Sequence, residues 1–211
     1  MKTITALRRE KAGRGRKVKI YLDGKPAFIL EKEVVEKHRL RTGQELNDGE
    51  IEALAQANGL QRCLNAALRY LGYRPHSEAE MREKLSRRGF EGDYINSAIS
   101  KLREHGLIDD AAFARFWQEN RQSFRPRSQR MTRLELVRKG IDPTIIDRVT
   151  GKIDDGENAY RAAALRARLL KSADYDTFRR RLGEYLRRRG FDYDVISHTI
   201  ARIWAERDSQ E

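Results

Sequence analysis

The side chains in this sequence with most to offer chemically are arginines, and their densest group contains no acid. Between Arg121 and Arg133 stand Arg121, Arg125, Arg127, Arg130 and Arg133, with Phe124, Pro126 and Ser128 among them and neither Asp nor Glu. Guanidinium groups beside an aromatic ring can hold a nucleic-acid backbone and stack a base, or can meet acidic protein surface. The alternative for Phe124 is to pack on its own repeat, which would leave a basic connector alone. A second set is repeated: Arg87-Arg88, Arg138-Lys139 and Arg188-Arg189 each stand directly before a glycine. Such pairs could form a spaced basic stripe, but cations at helix C-termini also complement the helix dipole by a few tenths of a kcal/mol to about 1 kcal/mol. Both readings stay open. A third cluster, Arg14, Arg16 and Lys17, makes a basic tip before a strand, where it could touch phosphate or simply be solvated.

Other chemistry finds little support. Asp109-Asp110 could be a carboxylate pair, but no third ligand or base stands at compatible spacing, and capping of the helix that follows explains it better. The single cysteine, Cys63, lies among Leu60, Leu64 and Ala67 and reads as a buried thiol. Four scattered histidines (His38, His76, His105, His198) have no metal-ligand spacing. There is neither a phosphate-cradling glycine loop nor a nucleophile triad. The expectation is a binding protein, not an enzyme, with no cofactor and no metal. A net charge of +12, from 44 Lys+Arg against 32 Asp+Glu, points to an anionic partner. Met1-Lys2-Thr3-Ile4 opens no signal core, and no run approaches the roughly 20 apolar residues of a membrane span. A cytoplasmic location follows as an expectation.

The elements that must position these residues change character near residue 46. Before it, β-type runs (Thr3 to Leu7, Val18 to Leu22, Ala27 to Leu30) and an Asp23-Gly24 turn predict a small sheet. After it, Ile51, Leu54, Leu60, Leu64 and Leu71 trace a helical stripe, and Ser77 with Glu80 opens a second helix as a capping box. That second helix ends at Gly89, and Ile95, Ile99 and Leu102 mark a third. The pattern then returns. Gly89, Gly140 and Gly190 stand 51 and 50 residues apart; Leu85, Leu136 and Leu186 precede them by four, and Phe90, Ile141 and Phe191 follow directly. Ile95, Ile146 and Ile196 stand six after each glycine; Met81, Thr132 and Leu182 stand eight before it, Thr132 being the weakest match. A leucine and a post-glycine apolar residue bracketing a left-handed C-cap account for the recurrence. First helices are expected at Asn47 to Leu71, Asp110 to about Arg121, and Asn158 to Leu170, with Phe113, Trp117, Ile200 and Trp204 in the cores.

The fold expected is therefore mainly α: three tandem three-helix repeats in an elongated, curved array, preceded by a small β-rich segment. The boundaries are 1–46 for that segment and 47–107, 108–156 and 157–211 for the repeats.

At His76-Ser77-Glu78, Lys84-Leu85, Arg88-Gly89-Phe90, Gly106-Leu107-Ile108-Asp109-Asp110, Phe113-Ala114, Glu135-Leu136, Lys139-Gly140-Ile141, Tyr185-Leu186 and Arg188-Arg189-Gly190-Phe191, the chain closely resembles the RecX family of recombination regulators. The likeness covers about residues 60 to 205. It implies a monomeric, non-enzymatic protein of the cytoplasm that binds the RecA filament on single-stranded DNA. There it would modulate ATP hydrolysis and strand exchange, inhibition being the expected sign. The connector of the third repeat, Lys171 to Thr177, departs from the Ser77 capping box. A different class of function also fits the charge: a stand-alone regulator reading duplex DNA with one helix of a repeat, as helix-turn-helix proteins do.

Overall fold

The computed structural model describes residues 1–10, 17–170 and 172–208. Its first part is an antiparallel sheet of β1 (Lys2–Arg9), β2 (Lys17–Leu22), β3 (Lys25–Glu31) and β4 (Glu45–Leu46), in the order β3-β2-β1-β4. Alternation along β2 does what the residue types dictate: Val18, Ile20 and Leu22 are buried, while Lys17, Lys19 and Tyr21 take the other face. There the Arg8 guanidinium lies 5.0 Å and the Lys19 ammonium 5.9 Å from the centre of the Tyr21 ring. Asp23 and Gly24 both have positive φ, 49° and 80°, the conformation a tight hairpin requires. Two elements had no clear sequence signal, α1 (Lys32–Lys37) and the two-residue β4. Each is too short to show a period, and each is held by tertiary contact: Val34 enters the sheet's core, and β4 pairs with Lys2 and Thr3.

The remainder is helical: α2 (Asp48–Leu71), α3 (Glu78–Arg87), α4 (Gly92–Glu104), α5 (Asp110–Phe124), α6 (Gln129–Arg138), α7 (Pro143–Thr150), α8 (Asp155–Ala167), a 3-10 turn at Arg168–Leu170, α9 (Tyr175–Arg187) and α10 (Tyr193–Asp208). Side-chain caps set most of the starts. Asn47 and Glu50 form a reciprocal capping box, and Asp109, Ser128, Asp142, Asp154 and Asp174 each accept backbone N–H bonds from the first turn of their helix. The third repeat thus uses Asp174 where the first uses Ser77. Helix α5 runs three residues past the expected Arg121. Helix α8 begins at Asp155, three residues early, and gives way to the 3-10 turn before Leu170.

The shared C-cap is present at all three positions. Gly89, Gly140 and Gly190 have φ of 80°, 72° and 89°. The N–H of Phe90, Ile141 and Phe191 donates back to the carbonyl of Leu85, Leu136 and Leu186 at 3.3, 3.2 and 3.4 Å. Those leucines are fully buried.

The chain divides into two compact units, Met1–Arg74 with Met81–Leu107, and Pro75–Glu80 with the residues from Ile108 onward. In the first, one core joins the sheet to Val34 and Leu54, and the helices bury Cys63, Ala67, Leu85, Ile99 and Leu102. In the second, Phe113, Leu136, Ile141 and Ile146 make the core of the middle repeat, and Ala159, Ala163, Phe178, Leu182, Leu186 and Ile200 that of the last. Trp117 and Trp204 pack against these two cores as expected, and Thr132 is buried because its hydroxyl donates to the Ser128 carbonyl at 3.0 Å.

Gly140 also makes a close approach: a Cβ added there would lie 2.4 Å from the Ala79 Cβ, whereas one at Gly89 would meet nothing within 4 Å. Gly89→Ala should therefore cost only the left-handed penalty, about 1–2 kcal/mol. Gly140→Ala should cost a further ~1–3 kcal/mol for overpacking. Urea unfolding followed by circular dichroism tests the difference. Burial pushes the Cys63 thiol up to about 11. It should resist a thiol reagent at pH 8 until the protein is denatured, because the thiolate is the reactive form.

Candidate functional site

Within the second unit the same junction is built twice. Ser77, at the entry to α3, accepts the Glu80 N–H at 3.1 Å and donates its hydroxyl to the Lys139 carbonyl at 2.7 Å. The next N–H, of Glu78, donates to the Asp110 carboxylate at 2.8 Å. One repeat later Ser128 accepts the Met131 N–H at 3.1 Å, and its own N–H donates to the Arg189 carbonyl at 3.2 Å. The next N–H, of Gln129, donates to Asp155 at 2.7 Å. Both serines are fully buried. Asp109 caps α5 through Ala111 and Ala112, and Asp110 serves the junction, so each of these neighbouring carboxylates has a structural partner. Burial raises the Asp155 carboxyl above its ordinary range, against the opposing pull of the Gln129 hydrogen bond.

The second and third basic pairs split in the same way, whereas both members of the first are exposed. In those two the residue nearest the glycine turns inward. Lys139 is ion-paired with Glu80, which also holds His76 Nδ1 at 3.2 Å, and its ammonium lies 4.2 Å from the Trp117 ring centre. Arg189 donates to the Pro126 carbonyl at 3.2 Å and lies 4.4 Å over Tyr185; Arg88 lies 5.8 Å over Tyr70. The other member faces solvent. Arg87 has only the exposed pair with Glu83, and Arg138 and Arg188 have no described partner. Dipole complementarity and aromatic stacking thus account for one residue of each pair, and the second is left available.

The stretch 121–133 is mostly helix, not connector: only Arg125 to Ser128 lies between α5 and α6. Its lack of acids is a property of the sequence alone. Glu135, on the next turn of α6 and 9% exposed, accepts the Trp117 indole N–H at 2.7 Å, Arg121 Nε at 2.7 Å and Arg127 Nη1 at 2.5 Å. Arg133 pairs with Asp147. Three of the five arginines are therefore engaged, and Arg125 and Arg130 are exposed with no described partner. Phe124 is 76% exposed and does not pack on its repeat. Arg14 and Arg16 lie outside the described residues; Lys17 is exposed at the start of β2.

The exposed face of α6 carries two residues that the charge pattern does not single out. Leu134 and Val137 are 42% and 59% exposed. With Arg130 and Arg138 they stand at i, i+4, i+7 and i+8, one continuous stripe. Two aliphatic side chains between two unpaired guanidiniums form a surface suited to a protein with an acidic rim. A signal exists in the sequence, since both residues fall off the buried Thr132–Glu135–Leu136 face, but apolar side chains on a helix ordinarily mark core. Among the described residues no group of His, Cys, Asp and Glu could hold a metal, and no helix is long and apolar enough to cross a membrane.

Comparison with known proteins agrees with this repeat geometry. Residues 63–102, 109–149 and 154–200 match the models of the first, second and third three-helix domains of RecX. The chain belongs to the RecX family. The regulatory protein RecX of Chlorobium phaeobacteroides is 35% identical over 144 residues, spanning 68% of this chain and 95% of that protein. That of Clostridium beijerinckii is 28% identical over 210 residues, 97% of both chains. A crystal structure of regulatory protein RecX superposes with a TM-score of 0.69 at 26% identity, over 93% of this chain and 98% of that one. Arg125, Arg130, Leu134, Val137 and Arg138 all fall in the second RecX domain.

The division into engaged and available arginines has a direct consequence for stability. Glu135→Ala strands two partly buried guanidiniums and should cost about 3 kcal/mol. Arg130→Ala should stay within ~0.5 kcal/mol of the parent. Thermal unfolding of the two variants checks the contrast.

Proposed function

We propose that this RecX-family protein regulates recombination and DNA repair by binding the RecA filament on single-stranded DNA and inhibiting its ATP hydrolysis and strand exchange. In this reading it works in the cytoplasm as a monomer and without a cofactor, by occupancy and not by catalysis. The repeats at 47–107, 108–156 and 157–211 meet successive RecA protomers, and the segment 1–46, which shares a core with α2, braces the first of them. Family membership supports the partner.

The observation that carries the contact is the α6 stripe. Apolar side chains exposed between unpaired cations gain most from a partner that covers the apolar atoms and supplies carboxylates at the edge. Arg125 and Phe124, exposed in the same repeat, add a further cation and an aromatic ring, whereas Arg121 and Arg127 are engaged by Glu135. Arg88, Lys139 and Arg189 act mainly at the helix ends, Arg133 ties α6 to α7 through Asp147, and Arg87, Arg188, Arg14, Arg16 and Lys17 add to the electrostatic attraction.

The test is the DNA-dependent ATPase of RecA titrated with this protein. Wild-type protein should lower the rate at stoichiometric ratios. Leu134→Glu combined with Arg138→Glu, both on the exposed face, should require about tenfold more protein for the same effect, a loss of ~1.4 kcal/mol in binding. An ATPase rate unaffected by the wild type would defeat the reading, and equal potency of the double variant would remove α6 from it.

A further inference from the structure

The last repeat contains a groove that none of the roles above uses. It lies between α9 and α10, has a volume of about 550 Å3, and carries Tyr175, Arg179, Arg180, Arg187 and Tyr193 on its rim. Its floor is apolar, and Gly183 keeps it open. A Cβ at that position would sit 3.7 Å from Ile200 Cδ1 and 3.8 Å from Ile196 Cγ2, ordinary contact distances, so no clash demands a glycine. Glycine weakens a helix relative to alanine, and this one lies in mid-helix. Its effect there is to leave the floor unfilled.

The rim is chemically specific. Tyr175 is held edge-on by Trp204 with ring centres 5.1 Å apart, which fixes its orientation. Tyr193 is 71% exposed and has no described ring or hydrogen-bond partner. Arg179, Arg180 and Arg187 are exposed and paired with no described carboxylate, although Asp176 and Glu184 line the same groove. Aromatic faces at solvent, unpaired guanidiniums and an open apolar trough are the parts that bind unpaired nucleotides: rings stack bases, and cations track the phosphates. A duplex keeps its base faces stacked inside and cannot offer them. An acidic peptide would satisfy the arginines but leave both tyrosines and the floor unused. It would also bring carboxylates against Asp176 and Glu184, which can instead accept an N–H from the edge of a base, such as thymine N3–H.

We propose that the α9–α10 groove is a binding site for single-stranded nucleic acid, with a base stacked on Tyr193 and adjacent phosphates on Arg179, Arg180 and Arg187. The site lies on other helices than the α6 stripe and needs no RecA, so it stands or falls separately from the filament reading.

The experiment is fluorescence anisotropy of labelled dT12 with the full chain and no RecA, at several salt concentrations. Wild-type protein should bind the strand and not free dTMP at comparable concentration. Tyr193→Ala should weaken binding about tenfold, and Tyr193→Phe should retain it. Gly183→Leu, which fills the trough without changing charge, should weaken binding to a similar degree. Replacing Arg179, Arg180 and Arg187 together by Gln should make the salt dependence shallower by a slope of ~2, about 0.7 for each phosphate no longer neutralised. An abasic strand of the same length should bind weakly and be indifferent to Tyr193→Ala. Circular dichroism matching the wild type verifies that each variant is folded. No binding of dT12 by the wild type would overturn the proposal. So would wild-type affinity in both Tyr193→Ala and Gly183→Leu, tight binding of dTMP alone, or displacement of dT12 by a deca-glutamate peptide as readily as by unlabelled dT12.

Discussion

Each repeat closes on a glycine, and at two of the three closures the residue has to be glycine for two reasons at once. The backbone at Gly140 and Gly190 turns left-handed to end a helix, and the neighbouring segment comes so near that no Cβ fits. At Gly190 the obstruction is the Ser128 hydroxyl at 2.7 Å and the Met131 Cβ at 3.0 Å. The closeness follows from hydrogen bonding. A fully buried serine must be satisfied, and the carbonyl just before each glycine satisfies it, receiving the Ser77 hydroxyl in one case and the Ser128 N–H in the other. The aspartate that opens the next repeat then takes the following N–H. Helix cap, repeat junction and glycine conformation are therefore one constraint, and the core leucines are placed by it.

That constraint also disposes of much of the positive charge. The side chain before the glycine starts from a backbone already engaged in the junction, so Lys139 and Arg189 lie inward, over Trp117 and Tyr185. Glu135 likewise takes two arginines from the middle repeat and an indole N–H besides, because a carboxylate this deeply buried needs several donors. A net charge of +12 says that anions are attracted and nothing about which cations remain to meet them. Those that remain sort by their companions: aliphatic side chains beside Arg130 and Arg138, and tyrosine rings beside Arg179, Arg180 and Arg187. The first combination suits a folded partner with acidic edges, and the second suits unpaired bases.

The sequence by itself determined the repeat. Glycine has no steric penalty at positive φ and leucine must be buried, so Leu–x3–Gly–apolar recurring at 51 and 50 residues could mean little else than three similarly closed helices. The small sheet was legible for the same kind of reason, since Val18, Ile20 and Leu22 alternate with Lys17, Lys19 and Tyr21 at the period of a strand. The family likeness rested on those same residues. What local periodicity did not carry was α1, β4 and the ends of α5 and α8, where tertiary contacts decide the boundary.

The candidate site divides along the same line. An arginine's identity is written in the sequence, but its partner is not: Glu135 stands outside the acid-free stretch and reaches Arg121 and Arg127 only because α5 and α6 pack against each other. Phe124 offered two readings, core or surface, and only packing chose the surface. Leu134 and Val137 look like ordinary helix residues until the buried face of α6 is fixed by Thr132, Glu135 and Leu136. The groove beside Gly183 is invisible in the sequence, because a space is made by two helices and encoded by neither. Local conformation follows from short-range sterics, which the sequence states outright, whereas the availability of a charge or a surface depends on long-range contacts that exist only once the chain has folded.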